Sequence, residues 1–381
     1  MKLSFLSPLY ARPGPFASVY LDTSREAPRE GEEADRSVEL RWQRLRADLL
    51  EHGTDQATIG ALGHVAGSDR ALPGPHGQAI FAAHGRLALA EELPEPPSHD
   101  TARTDMLPDA MPLALQHAPD IPYAALAVHR ADPVETGTRD LPGEPELEVD
   151  LQVGRWPMSR VSGAVVSRRW LAGENWDAEV GQLLDELAKL ADDAAAEVVV
   201  LSGSARMRSA LVREVPARLR DRIVTVAGDG HSADSGRALL EQELEELLHG
   251  CLSARDRAHL ARFAEQRQRY GSALEGLSST VAVLQRGRAR AVLVNRETHF
   301  AERLWVGMAP TQLALTEPEL RALGPRTGWQ EPADAALIRA AVGTGAELVV
   351  VPERELVLRG GVGILLREEL PARTTADAHP R

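Results

Sequence analysis

Short, nearly unbroken runs of aliphatic residues set the limits on what this chain can fold into. The runs at 123–129 (YAALAVH), 198–201 (VVVL), 223–226 (IVTV), 291–294 (AVLV) and 347–351 (ELVVV) have the length of strands and little polar alternation. A strand of that kind is covered on both faces of its sheet. Segments of helical period lie between the runs. Val180, Leu183, Leu184, Leu187 and Leu190 mark a helix over 175–194. A helix from 205 to 215 is stopped by Pro216, and one over 333–342 is stopped by Gly343 and Gly345. Helix and strand in alternation predict an α/β protein built on mixed sheets.

With 381 residues the chain exceeds one ordinary core, so two or three domains are expected. The first block opens with a strand at 16–22. A helix over 36–50 follows, with Val38, Leu45 and Leu49 as its apolar stripe and Trp42 on or beside it, then a second helix over 55–65. His84-Gly85 joins 78–83 to 86–93 as a hairpin. Pro94, Pro96, Pro97 and Pro108 loosen the chain before a boundary near residue 118. The second block, 119–278, holds strands at 123–129, 134–139, 147–153, 198–201 and 223–226. A long helical region over 235–276 breaks near Gly250. The third, 279–370, reads as a compact αβ unit, and the polar tail 371–381 as disordered.

Within the second block the charge pattern changes. The chain carries a net charge of -13, yet 151–173 holds no carboxylate. It keeps Arg155, Arg160, Arg168, Arg169, Trp156 and Trp170. Guanidinium pairs with phosphate bidentately and indole stacks on bases, so this run is the candidate RNA-binding surface. A solvated loop or strand pair with incidental arginines stays open beside it. Further arginines cluster at 206–222 and around Arg286, Arg288, Arg290 and Arg296. Because Lys2 and Lys189 are the only lysines, an Arg-rich codon bias weakens any argument from a single arginine. Overall acidity opposes a sequence-blind DNA binder but permits a ribosome-bound factor with local basic patches.

Other chemistry finds little support. Cys251 is the only cysteine, which removes disulfides and cysteine-cluster metal sites. The twelve histidines show no metal-ligand spacing. His76, His84 and His99 read as loop polarity, and His231 with Asp229 or Asp234 lacks a nucleophile elbow. Gly343-Thr344-Gly345 follows a helix, the wrong order for a phosphate loop. Ser202-Gly203-Ser204 lacks the length and lysine of one. No cofactor and no metal are expected. No apolar run approaches the roughly 20 residues of a membrane span, and Pro8 and Pro13 interrupt the N-terminal apolar stretch, so a cytoplasmic protein is expected.

Three stretches carry a resemblance: 198–216 (VVVLSGSARMRSALVREVP) with 223–226, 280–295 (TVAVLQRGRARAVLVN) and 347–367 (ELVVVPERELVLRGGVGILLR). Together they resemble the class-1 release factor and Pelota superfamily. Its bacterial archaeo-eukaryotic release factor branch, which includes Balon-type hibernation factors of actinobacteria, is the more similar part. The resemblance implies a middle domain of ribonuclease-H-like topology and a C-terminal αβ domain like the kink-turn-binding ribosomal proteins. It also implies that a Gly-Gly-Gln loop for ester hydrolysis would fall at 155–174, but the chain contains no Gly-Gly-Gln. The resulting expectation is a non-catalytic ribosome-associated factor. It would bind the A site and ribosomal RNA in hibernation, stress or rescue, with a translational GTPase such as elongation factor Tu as a possible partner. The rivals are a peptidyl-tRNA hydrolase or nuclease using Glu174 or Asn175, and a protein-binding adaptor without RNA contact.

Overall fold

The computed structural model describes residues 1–25, 31–130, 146–162, 165–172, 176–227, 238–325 and 327–367. The strand expected at 134–139, the His231 loop, Gly163, Gly173, Glu174, Asn175 and the tail from 371 lie outside them. The chain is a mixed α/β protein that divides into two compact units, residues 1 and 8–256 and residues 2–7 and 257–381.

The first unit begins with β1 (Phe16–Asp22), α1 (Gly31–Glu51), α2 (Gln56–Gly63), β2 (Gly77–Ala83), β3 (Arg86–Leu93), β4 (Thr101–Asp105) and α3 (Met111–His117). The strands form an antiparallel sheet in the order β3-β2-β1-β4. Val38, Trp42, Leu45 and Leu49 recur at helical spacing on α1. They pack with Ile59 and Leu62 of α2 against Val19, Leu21 and Ile80 of the sheet. Asp55 caps α2, its carboxylate accepting from Thr58 N at 2.9 Å. His76 lies in the loop before β2, as expected, but is not solvated there. It is fully buried, with Nε2 3.1 Å from Asp69 Oδ2, in a network that also binds Thr23 and Arg25. Burial alone would raise the Asp69 carboxyl, but hydrogen bonds from His76, Thr23 and Arg25 outweigh it and hold it below the usual carboxylate range.

The same unit continues with β5 (Ile121–Arg130), β6 (Glu146–Trp156), α4 (Ser159–Ser162), β7 (Val165–Ala172) and α5 (Trp176–Asp193). Next come β8 (Val198–Ser202), α6 (Ala205–Glu214), β9 (Ile223–Val226), α7 (Glu241–Leu248) and α8 (Ala254–Tyr270), which belongs to the second unit from Arg257 onward. The sheet order is β7-β6-β5-β8-β9. β5, β6 and β7 form an antiparallel meander, and β8 and β9 add in parallel beyond β5. Three antiparallel strands extended by two parallel ones make the ribonuclease-H-like sheet. One face packs on α5 and α6 through Leu126, Val149, Leu184, Leu187 and Leu211. The other packs on α7 through Tyr123, Ala125, Trp156, Leu244 and Leu248.

In the second unit, α9 (Leu277–Gln285), β10 (Ala289–Asn295), β11 (Arg303–Val306), β12 (Leu313–Ala314), α10 (Glu317–Ala322), β13 (Trp329–Pro332), α11 (Ala333–Thr344), β14 (Glu347–Val351) and β15 (Val362–Leu366) follow in order. β14 joins β10 in parallel and β15 joins it antiparallel, while β11 pairs separately with β12 and β13. The two units divide at 256/257. Phe263 of α8 is fully buried over Gly363 of β15, where a side chain would come within 3.1 Å of its ring.

Candidate nucleic-acid interface

β6 and β7 pair with Asp150 opposite Arg168 and Glu148 opposite Trp170, so these four side chains share one face of the sheet. The described part of the carboxylate-free run is therefore strand, short helix and edge strand. Its missing acids arrive from neighbouring strands and helices. Arg168 Nε lies 2.8 Å from both Asp150 Oδ1 and Glu148 Oε1. Both carboxylates are buried, and His129 Nε2 stands 3.0 Å from Glu148 Oε2.

The other three arginines are paired as well. Arg155 grips Asp120 with two bonds, Nε–Oδ1 at 2.5 Å and Nη2–Oδ2 at 2.8 Å. That hydrogen bonding raises the guanidinium pKa further. Arg160 meets Glu241 at 2.9 Å, Glu95 at 3.5 Å and Glu245 at 3.6 Å, and lies 5.5 Å over the Trp156 ring. Arg169 binds Glu186 of α5.

Two expectations are corrected by this geometry. A set of uncompensated cations is not present at 151–173, because residues distant in sequence supply the counter-charges. Trp156 is only 3% exposed and sits in the core against α7, so it has no face to offer a base. Trp170 differs: it stands on the sheet's edge strand with 43% of its surface exposed. Arg155 is exposed and Arg169 half-buried, whereas Arg160 is largely covered.

His129, Glu148 and Asp150 place one ligand atom each within 4.8 Å of one another, a geometry that could hold a metal ion. Arg168 already stands among them with the positive charge that an ion would bring, so the cluster reads as a buried ion network. Sequence reading missed it because His129 and Glu148 face each other only through strand pairing. The arginines at 206–222 are partly paired too. Asp192 takes Arg218 at 3.1 Å and Arg222 at 2.7 Å, and Arg208 donates to the carbonyls of Gly203 and Val226. The two glycine-marked spots are structural. Ser204 caps α6, and Gly345 ends α11 with φ 66°, a left-handed conformation suited to glycine.

A sequence model described as bacterial archaeo-eukaryotic release factor family 2 matches residues 122–269, which hold almost the whole five-stranded sheet and α5 to α8. This stretch is similar to that family. Over 94% of its length the chain is 27% identical to Rv2629 of Mycobacterium tuberculosis, an uncharacterised protein, and covers 95% of it. Among solved structures it is similar to the archaeal translation termination factor aRF1, at 15% identity, TM-score 0.21, and 94% coverage of each chain. It is also similar to ribosome-bound archaeal Pelota, at 12% identity and TM-score 0.34, covering 96% of this chain and 94% of that one. Among the described residues, no helix is long and apolar enough to cross a membrane.

Proposed function

We propose that this chain is a cytoplasmic, ribosome-associated factor that contacts ribosomal RNA without cleaving a bond. The observation that carries this reading is the release-factor family match over 122–269 in a sequence with no Gly-Gly-Gln. Occupancy of the A site during hibernation, stress or rescue is the finer form of the proposal. A translational GTPase such as elongation factor Tu is the delivering partner it calls for.

Of the six residues singled out by sequence, Trp170, Arg155 and Arg169 are the RNA contacts in this proposal. Trp170 offers an exposed indole for stacking, worth about 1–3 kcal/mol per base. Surface ion pairs contribute about 0–1 kcal/mol, so a phosphate can displace Asp120 or Glu186 from its arginine at small cost. Trp156 and Arg160 shape the surface from beneath, and Arg168, itself exposed, neutralises the buried Glu148 and Asp150.

Ribosome co-sedimentation at graded salt tests the proposal, with wild type beside an Arg155→Ala/Arg169→Ala/Trp170→Ala variant. The variant should pellet less, and its log-affinity should depend less steeply on log-salt, by about 0.7–0.9 for each phosphate it no longer neutralises. Equal pelleting of the two proteins rejects the surface. A wild type that never pellets rejects ribosome association. Turnover of peptidyl-tRNA by the purified protein would favour the hydrolase instead.

A further inference from the structure

The second unit contains a cleft of about 260 Å³ whose lining, among the described residues, carries four arginines, Arg262, Arg269, Arg290 and Arg367, and one carboxylate, Glu265. α8 presents Arg262, Gln266 and Arg269 at i, i+4 and i+7, on one helical face. Gln266 fixes that face to the sheet. Its Nε2 donates to Leu366 O at 3.3 Å and its Oε1 accepts from Leu366 N at 3.0 Å, continuing the ladder at the edge strand β15.

Opposite the helix, Ala289 pairs with Leu366 and Ala291 with Leu365, leaving Arg290 as the extra residue of a β-bulge. A bulge re-aims the side chain it inserts, and here that side chain lines the cleft. Arg367 is held by carbonyls, its Nε donating to Ala289 O at 2.8 Å and its Nη2 to Thr344 O, and it meets no carboxylate among the described residues. Neither Arg262 nor Arg290 makes a hydrogen bond or ion pair with the described residues.

Like charges gathered on a shaped wall, in a protein of net charge -13, are held at a cost unless an anion occupies the space between them. We propose that this cleft is a binding site for the phosphodiester backbone of RNA. The arginines pair with successive phosphates, and Glu265 accepts from a ribose 2′-hydroxyl, the group that separates RNA from DNA. The site uses none of the β6–β7 residues, so either surface can fail without the other.

The test is fluorescence anisotropy of the full chain with a labelled single-stranded RNA at graded salt. An Arg262→Glu/Arg290→Glu variant should bind at least about ten-fold more weakly and lower the salt slope by about 1.4, two phosphates at about 0.7 each. Arg44→Glu/Arg46→Glu, which makes the same change of net charge on exposed positions of α1, should bind like wild type. Single-stranded DNA of the same sequence should bind more weakly than RNA, and Glu265→Gln should narrow that gap. The proposal is overturned if the cleft variant binds RNA like wild type or if both charge-reversal variants weaken binding equally. It is also overturned if inorganic phosphate or ADP binds the cleft while RNA does not.

Discussion

The arginines of β6 and β7 and those of the α8–β15 cleft look alike in sequence and differ in surroundings. Arg155, Arg160, Arg168 and Arg169 lie in a run without acids, yet each reaches a carboxylate supplied by another element. Arg262 lies three residues from Glu265, yet neither it nor Arg290 pairs with a described residue. Local composition thus misjudges free charge in both directions. A sheet brings Asp150 opposite Arg168 whatever the intervening sequence, while two residues of a helix, such as Arg262 and Glu265, can share a face without pairing. Uncompensated charge belongs to a three-dimensional neighbourhood, and it is this quantity that points to an anionic partner.

The largest effect expected from that contrast is at Arg168. Removing it leaves Glu148 and Asp150 buried without their shared cation, and breaking a buried ion network of this kind costs about 3–5 kcal/mol. Urea unfolding of Arg168→Ala should show that loss. Arg168→Met combined with Glu148→Gln and Asp150→Asn should recover most of it, because no charge then stays buried. A single substitution costing under about 1 kcal/mol would mean that the network is not structural.

His117 supplies a cation that burial has suppressed. Desolvation lowers its pKa to about 4, against a smaller opposing pull from Asp120, the carboxylate that Arg155 binds. The unfolded chain takes up the proton near pH 6.5 and the folded chain only near 4. Stability is therefore complete above the higher value and falls as pH drops through the window between them, by roughly 3 kcal/mol. His117→Gln should flatten that limb of the stability curve. Arg155→Ala should raise the His117 titration seen by NMR, since Asp120 then acts on the imidazole without its guanidinium partner. An unmoved titration would show that Arg155 does not screen Asp120.

Much of the fold is legible before any coordinates. The alternation of buried strands with helices carried the five-stranded sheet, and the bounds of β1, β3, β9 and β14 coincide with the apolar or hairpin signals at those positions. What escaped was β4, α3, β7 and the β11–β13 sheet. TARTD is a polar string that becomes strand only because β1 offers it an edge, and β12 has two residues. β7 was hidden by the very arginines that drew notice, since a charged strand on a sheet edge has no apolar alternation to betray it. For the proposed contact surface, sequence singled out Trp170 and the arginines but could not see Glu186, Glu241 or Asp120 beside them. The cleft was half visible, through Arg290, and its helical wall was not.

Arg160 separates packing from charge within the paired set. It is flanked by Glu95, Glu241 and Glu245 and stacks over Trp156, so Arg160→Ala should cost about 1–2 kcal/mol from the ion pairs and the cation–π contact together. Arg160→Lys keeps the charge but loses the planar fork, and should recover less than half of that. Full recovery by lysine in urea unfolding would reduce the site to simple charge balance.

The smallest effect separates the two regions most cleanly. Arg262→Glu/Arg290→Glu removes no hydrogen bond or ion pair to a described residue and relieves repulsion among the cleft guanidinium groups. Its urea midpoint should equal that of wild type or rise by a few tenths of a kcal/mol, the scale of exposed charge pairs. A loss above about 1 kcal/mol would place these arginines with Arg168 and Arg160 as structural groups, and the contrast between the regions would fail. An unchanged midpoint in a protein that has lost RNA affinity would instead show two arginines kept for a partner rather than for the fold.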